Sequence, residues 1–188
     1  MKHRSPLLCV LLLCAMPLHA RQWFVATTGS DTTGTGAPDL PFLSIPRAQT
    51  AMSAGDTIVV AGGVYKVTAT ITISKSGSLS APMVLTAAPG ARAILDCSSM
   101  PFNSSNRGIK FQASYWHVKG LDVKGAGDNG MYLTGSNNII ENCAFYENQD
   151  TGLQLGGGAS HNRIVNCDSY FNRDPGQGNA DGFSPKLD

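Results

Sequence analysis

Apolar and polar positions alternate along this chain in short runs, and the runs recur. Gly108-Ile109-Lys110-Phe111 returns as Gly130-Met131-Tyr132-Leu133, as Gly152-Leu153-Gln154-Leu155 and as Gly182-Phe183-Ser184-Pro185, at offsets of 22, 22 and 30 residues. A second recurrence runs in phase with the first. Ile140 to Asn148 matches Ile164 to Asn172 at an offset of 24, and Val118 to Val123 lies 22 residues ahead. Alternation with a period of two is the signature of strands, whose side chains point to opposite faces in turn. A repeat in the low twenties marks a solenoid. One turn of that length holds two or three short strands with tight bends, but not a strand, a helix and two loops. The pattern predicts an all-β chain folded as a parallel β-helix. Gly108, Gly130, Gly152 and Gly182 then occupy equivalent bends, with Ile109, Met131, Leu153 and Phe183 in one interior column. Counting on from an inward Phe183 places Ser184 and Lys186 outward, open to solvent.

Upstream of the clean repeats, strands are expected over 23–26, 56–60, 64–65, 70–73, 82–86 and 93–97, separated by Gly- and Pro-rich turns. One segment has helical spacing. Ser44 offers an N-cap, Pro46 sits in the first turn where its missing N–H is harmless, Ile45, Ala48, Ala51 and Met52 share a face, and Gly55 supplies a stop. A short amphipathic helix here would cover the open end of the first coil. Asn142 and Asn166 share a slot of the repeat, as do Asn148 and Asn172, so their amides are expected to form ladders between coils. Cys143 and Cys167 also share a slot. They are expected to stack as small buried residues about 4.8 Å apart, without a disulfide.

The first twenty residues change the picture of what folds. A basic start at Lys2, His3 and Arg4, an apolar run from Leu7 to Met16 and a small residue at Ala20 predict a secretory leader cleaved after Ala20. The run is too short for a membrane anchor. A lipid anchor at Cys14 is disfavoured by the bulky Leu13 before it. The domain plan is therefore a leader over 1–20, an N-terminal cap over 21–60 and β-helix coils over 61–188, broken off within the solenoid. Removing Lys2 and Arg4 from the 14 basic residues leaves 12 against 13 acidic ones. Nothing in that balance suggests nucleic acid or an anionic membrane as a partner. Charged residues make up only 14% and aromatic residues 7%, alongside 21 glycines, which suits stacked strands with many bends.

The rhythm breaks at one place. The last repeat takes 30 residues, and the excess lies in Asn172 to Gly182. Insertions in solenoids gather on one face, often the binding face. Asp174 and Asp181 offer hard oxygen ligands there, although a calcium ion takes six to eight oxygens and an Asp closing a turn explains the same residues. His117 and His161 have no partner pattern, and no Ser-His-Asp arrangement is visible.

Asn179-Ala180-Asp181-Gly182-Phe183-Ser184-Pro185-Lys186-Leu187, preceded by Asp174-Pro175-Gly176, resembles the calcium-site segment of the family 9 polysaccharide lyases. The front resembles the same group, through Trp23-Phe24-Val25-Ala26, Gly29-Ser30-Asp31, Pro41-Phe42, Ala54-Gly55-Asp56-Thr57-Ile58 and Gly62-Gly63-Val64-Tyr65. The resemblance implies a secreted, right-handed parallel β-helix enzyme that cleaves pectate-like polyuronates by Ca²⁺-assisted β-elimination and works as a monomer when complete. It implies that Asp181 is one calcium ligand. The family's remaining acidic cluster and its catalytic lysine come on later coils, so the catalytic residue is unassigned here. Lys186, five residues from Asp181, is a minor candidate and reads more simply as a groove or surface charge. The expectation is an incomplete, inactive chain that frays or associates at its last coil. The alternatives are an alginate or glycosaminoglycan lyase of similar fold and a non-catalytic glycan-binding or adhesin solenoid.

Overall fold

A computed structural model describes residues 20–186. The leader expected over residues 1–20 therefore lies, but for its last residue, outside the described residues. From β1 (Gln22–Val25) the chain passes through α1 (Ile45–Ala51) and then winds in five turns of three strands. These are β2 (Thr57–Val60), β3 (Gly63–Lys66) and β4 (Ile71–Ile73); β5 (Met83–Ala87), β6 (Ala93–Asp96) and β7 (Ile109–Phe111); β8 (Trp116–Lys119), β9 (Leu121–Lys124) and β10 (Met131–Leu133); β11 (Ile139–Glu141), β12 (Ala144–Tyr146) and β13 (Leu153–Leu155); β14 (Arg163–Val165), β15 (Asp168–Tyr170) and β16 (Phe183–Pro185). Like strands of successive turns pair in parallel. The result is three stacked sheets, ordered β1-β2-β5-β8-β11-β14, β3-β6-β9-β12-β15 and β4-β7-β10-β13-β16. This is the parallel β-helix that the repeat predicts.

Ile109, Met131, Leu153 and Phe183 stack in register. The first three are sealed at 1%, 1% and 0% exposure, whereas Phe183, on the outermost strand, is 42% exposed. Ser184 departs from expectation. It lies in the outward row beside Gln154 but is only 6% exposed. Phe111 and Trp116 meet edge to face across the core at 5.8 Å, an aromatic pairing worth about 1 kcal/mol beyond its buried area.

The bends repeat as faithfully as the strands. Each of the last three turns places one residue in the left-handed region at three corners: Tyr115, Asn137 and His161 at the first, Gly120, Asn142 and Asn166 at the second, and Gly125, Glu147 and Phe171 at the third. Gly and Asn enter that region with little cost, while Tyr115, Glu147 and Phe171 store roughly 1 kcal/mol each. The expected asparagine ladders form. Asn166 Nδ2 donates to Asn142 Oδ1 at 2.6 Å, and both the backbone N–H and Nδ2 of Asn148 donate to Asn172 Oδ1. A further ladder runs through Asn138 and Asn162, whose side-chain oxygens accept from the N–H groups of Trp116 and Asn138. Cys143 and Cys167 carry free thiols, Cys143 buried and Cys167 half-buried. Their contact pushes the Cys143 thiol above its usual range and draws Cys167 down to about 7.

The helix does the capping job with an added device. Ser44 Oγ accepts from Arg47 N at 3.2 Å, and Ile45, Ala48 and Met52 are buried against the first coil. Gln49 imitates a missing strand: its Nε2 donates to Thr72 O (3.1 Å) and its Oε1 accepts from Ser74 N (3.2 Å), closing the free edge of β4. The helix ends at Ala51, ahead of the expected stop at Gly55. Met52 is already extended, and the Asp56 carboxylate takes the N–H of Ser53, Arg21 and the Trp23 indole. Among the described residues no helix is long and apolar enough to cross a membrane.

Candidate functional site

The outward faces of the three sheets differ in how their charges are satisfied. On the sheet containing β9 and β12, Lys66 pairs with Asp96, Arg92 with Asp122 and Lys124 with Glu147, and Tyr146 stacks flat on Tyr170 at 4.9 Å. On the sheet containing β8 and β11, Glu141 takes both His117 (2.7 Å) and Lys119 (3.3 Å). That surface pair is the whole of His117's involvement, and His161 serves as a bend residue. Unpaired charges on these two sheets, Arg163 and Asp168, belong to the outermost strands.

The third sheet is different. Its outward row runs Thr72, Lys110, Tyr132, Gln154 and Ser184 in strict register. Three residues before each of the last four lies a second column, Arg107, Asn129, Thr151 and Asp181, locked by Gly108 N to Asn129 O, Gly130 N to Thr151 O and Gly152 N to Asp181 O, each at 3.0 Å. Together the columns make a strip along the solenoid axis. It is cationic at one end (Arg107, Lys110), carries Tyr132 and Gln154 in the middle over the buried Asn129 and Thr151, with the Asp150 carboxylate beside them, and is anionic at the other (Asp181).

Within the strip, Asn129 Nδ2 donates to Asp150 Oδ2 (2.9 Å) and to Gln154 Oε1 (3.2 Å). The Arg107 guanidinium lies 4.3 Å above the Tyr132 ring, with Nε 3.0 Å from Asp128 Oδ2 and 3.3 Å from Asn129 Oδ1. Its N–H is aligned on Asn129. Asp128 Oδ2 thus keeps a charge contact but no hydrogen bond, the one such buried side-chain atom among the described residues. Burial pushes the Asp128 carboxyl up, and the Arg107 charge opposes the shift.

The sequence-predicted residues fall at the anionic end, where they do not converge into a metal site. Asp181 is exposed and anchored through its backbone, its N–H donating to Thr151 Oγ1 at 3.3 Å, while its carboxylate has no partner among the described residues. Asp174 is spent on its own turn, Oδ1 accepting from Gly176 N (2.6 Å) and Gln177 N (3.0 Å). Lys186 is exposed and held only by its backbone N–H on Leu155 O. No group of three or more His, Cys, Asp or Glu side chains gathers among the described residues. One carboxylate does not fit calcium's six to eight oxygens, so no chemical step is derived through the ion. Sequence reasoning missed Arg107 and Asp128. They lie on different coils, and only the offset of 22 from Arg107 to Asn129 signals the column.

Stacked parallel sheets with a polar strip along one of them define a solenoid of the parallel β-helix class. Residues 23–188 match the family described as Pel9A-like, right handed beta helix region, and the chain belongs to that family. It is 36% identical to pectate lyase L of Dickeya chrysanthemi over 176 residues, 88% of this chain and 41% of that protein. It is 46% identical to pectate lyase L of Paenibacillus polymyxa (strain SC2) over 114 residues, 60% of this chain and 25% of that protein. The crystal structure of pectate lyase Pel9A superposes with a TM-score of 0.80 at 36% identity, covering 89% of this chain and 44% of the other. The alginate lyase from Paenibacillus sp. str. FPU-7 shares the fold alone, with a TM-score of 0.61 at 21% identity over 80% of this chain and 45% of its own. The chain thus spans less than half the length of these relatives.

Proposed function

We propose that this chain takes part in cleaving a pectate-like polyuronate by β-elimination, as a secreted polysaccharide lyase. One observation carries the reading: a chain of the Pel9A-like family exposes an unpartnered carboxylate, Asp181, on a polar strip long enough for several coils of contact. β-Elimination removes the proton at C5 of a uronate and expels the oxygen at C4, leaving a C4–C5 double bond. Asp181 is proposed as one carboxylate of a calcium sphere whose other oxygens the described residues do not supply. The chain's own part is to bind and orient the polymer along the strip. No described side chain is assigned as the base, and Lys186 is read as a groove charge.

The test is to incubate the protein with polygalacturonate, alginate and rhamnogalacturonan and to follow the ultraviolet absorbance of unsaturated product. Product from polygalacturonate that a chelator suppresses is the result the lyase reading expects, and it would overturn the inactivity expected from the sequence. Product from alginate alone would move the substrate class, and binding without product would reject catalysis in favour of a glycan-binding solenoid. Export is checked separately, by N-terminal sequencing of protein recovered outside the cell, which should begin at Arg21.

A further inference from the structure

We infer that Arg107 and Lys110 form a carboxylate-binding subsite at the cationic end of the strip, three coils from Asp181, and that buried Asp128 positions Arg107 for it. The inference rests on the reading above that the ligand is a polyuronate.

The geometry of Arg107 carries the argument. Its Nε edge is occupied by Asp128 and Asn129, and its face lies on Tyr132. Among the described residues no group takes its two Nη atoms. A guanidinium fixed on one edge and one face, with the terminal edge free, is preorganised to receive a planar carboxylate through two parallel hydrogen bonds. The support beneath it is rigid, because Asp128 is only 7% exposed and therefore cannot itself reach a ligand. Its role is to hold the arginine and balance its charge. Lys110 stands next to Tyr132 in the outward row, half-buried, its ammonium with neither ion pair nor hydrogen bond among the described residues. Cations with an unengaged edge, beside an aromatic ring and side-chain amides, suit an acidic sugar and not a neutral one.

Position adds a direction. Adjacent strands are about 4.8 Å apart, so Arg107 and Asp181 are separated by roughly 15 Å along the axis, the reach of a short oligomer of pyranoses. A uronate carboxylate is attracted at the Arg107 end. At the Asp181 end it is repelled unless a divalent cation intervenes. Binding at the first end therefore does not require calcium.

The test is calorimetric titration of the full chain, in chelator-treated low-salt buffer, with an oligogalacturonate and with its methyl ester, which keeps the sugar and removes the charge. Three variants are compared with the parent: Lys110→Gln, Asp128→Asn, and the double variant Arg107→Gln/Asp128→Asn, which removes the buried carboxylate together with its partner. Unchanged thermal unfolding of each variant establishes that it is folded. The parent should prefer the free acid over the ester. Lys110→Gln and the double variant should each bind the acid about tenfold more weakly or worse, as loss of a charge-assisted contact does, with the ester unaffected. Asp128→Asn alone should weaken acid binding less than the double variant does. Acid binding that is equal in parent and variants overturns the subsite and leaves the polyuronate reading intact. A parent that does not distinguish acid from ester overturns both.

Discussion

Gly130 and Gly182 fill the same slot of the repeat, in surroundings that are not alike. A methyl group on Gly130 would sit 2.6 Å from the carbonyl oxygen of Gly152 and 2.7 Å from Asn148 Nδ2, whereas on Gly182 it would meet nothing nearer than 3.5 Å. Between residues 108 and 155 each coil is covered on both sides, so backbones approach closely and buried polar groups are answered by the neighbouring coil. Between 172 and 186 the described residues cover one side only. The spacing grows to 30 residues, residues 175–179 are exposed, and the Asp181 carboxylate is left without a partner. Where the repeat is strict, side chains serve the stack. Where it loosens, a charge becomes available for a ligand.

Substitution at the two glycines should break this contrast most forcefully if it is wrong. Gly130→Ala is expected to cost about 3 kcal/mol, since backbone must move to admit the methyl group. That corresponds to a fall in Tm of roughly 10 °C for a domain of this size. Gly182→Ala should stay within about 0.5 kcal/mol. Denaturant melts of the pair measure both, and equal losses would refute the claim that the two slots differ in packing.

A smaller effect is expected at the asparagines. Asn148 is 1% exposed, its Oδ1 accepts from Ala126 N, and its two donors both meet Asn172. Asn148→Ala should cost about 2 kcal/mol, because it strands the buried N–H of Ala126. Asn179, bonded only to the exposed Gln177, should tolerate Ala almost freely. Amide hydrogen exchange would localise the first loss to Ala126 and Asn148.

The smallest effect is electrostatic. A hydrogen bond from Lys66, with help from Ser98, holds the Asp96 carboxyl down at about 2, below its value of about 3.9 in an unfolded chain. Its stabilisation is therefore complete above about pH 4 and is lost as the pH falls through about 2. Lys66 is largely exposed, so screening limits the contribution to about 1 kcal/mol. Asp96→Asn should flatten the acid limb of the stability curve by that amount and leave the alkaline limb unchanged.

Much of the fold was legible because a solenoid writes its geometry into spacing. The offsets of 22 and 24 foretold which residues stack, and alternation foretold which face the interior. The Asn138–Asn162 ladder obeys the same rule and was readable from Ser136-Asn137-Asn138-Ile139-Ile140 against Ser160-His161-Asn162-Arg163-Ile164. Spacing does not reveal what neighbours in a stack do to one another. That Asp181 stays free while Asp174 closes a turn depends on loop conformation. The Arg107–Asp128 contact depends on side-chain direction between coils, about which in-or-out alternation is silent. The helix's early end is of the same kind, set by the reach of Asp56 across the cap.

The division between a stack that folds and a loosened coil that acts is tested most directly at Asp181, by reading stability and chemistry from one sample. Asp181→Ala is assayed for calcium-dependent formation of unsaturated uronate from polygalacturonate and melted in the same buffer. Loss of most product formation with a Tm within about 2 °C of the parent is the expected result, since the side chain makes no internal contact. Undiminished product formation, or a collapse in Tm that accounts for the loss, would contradict it.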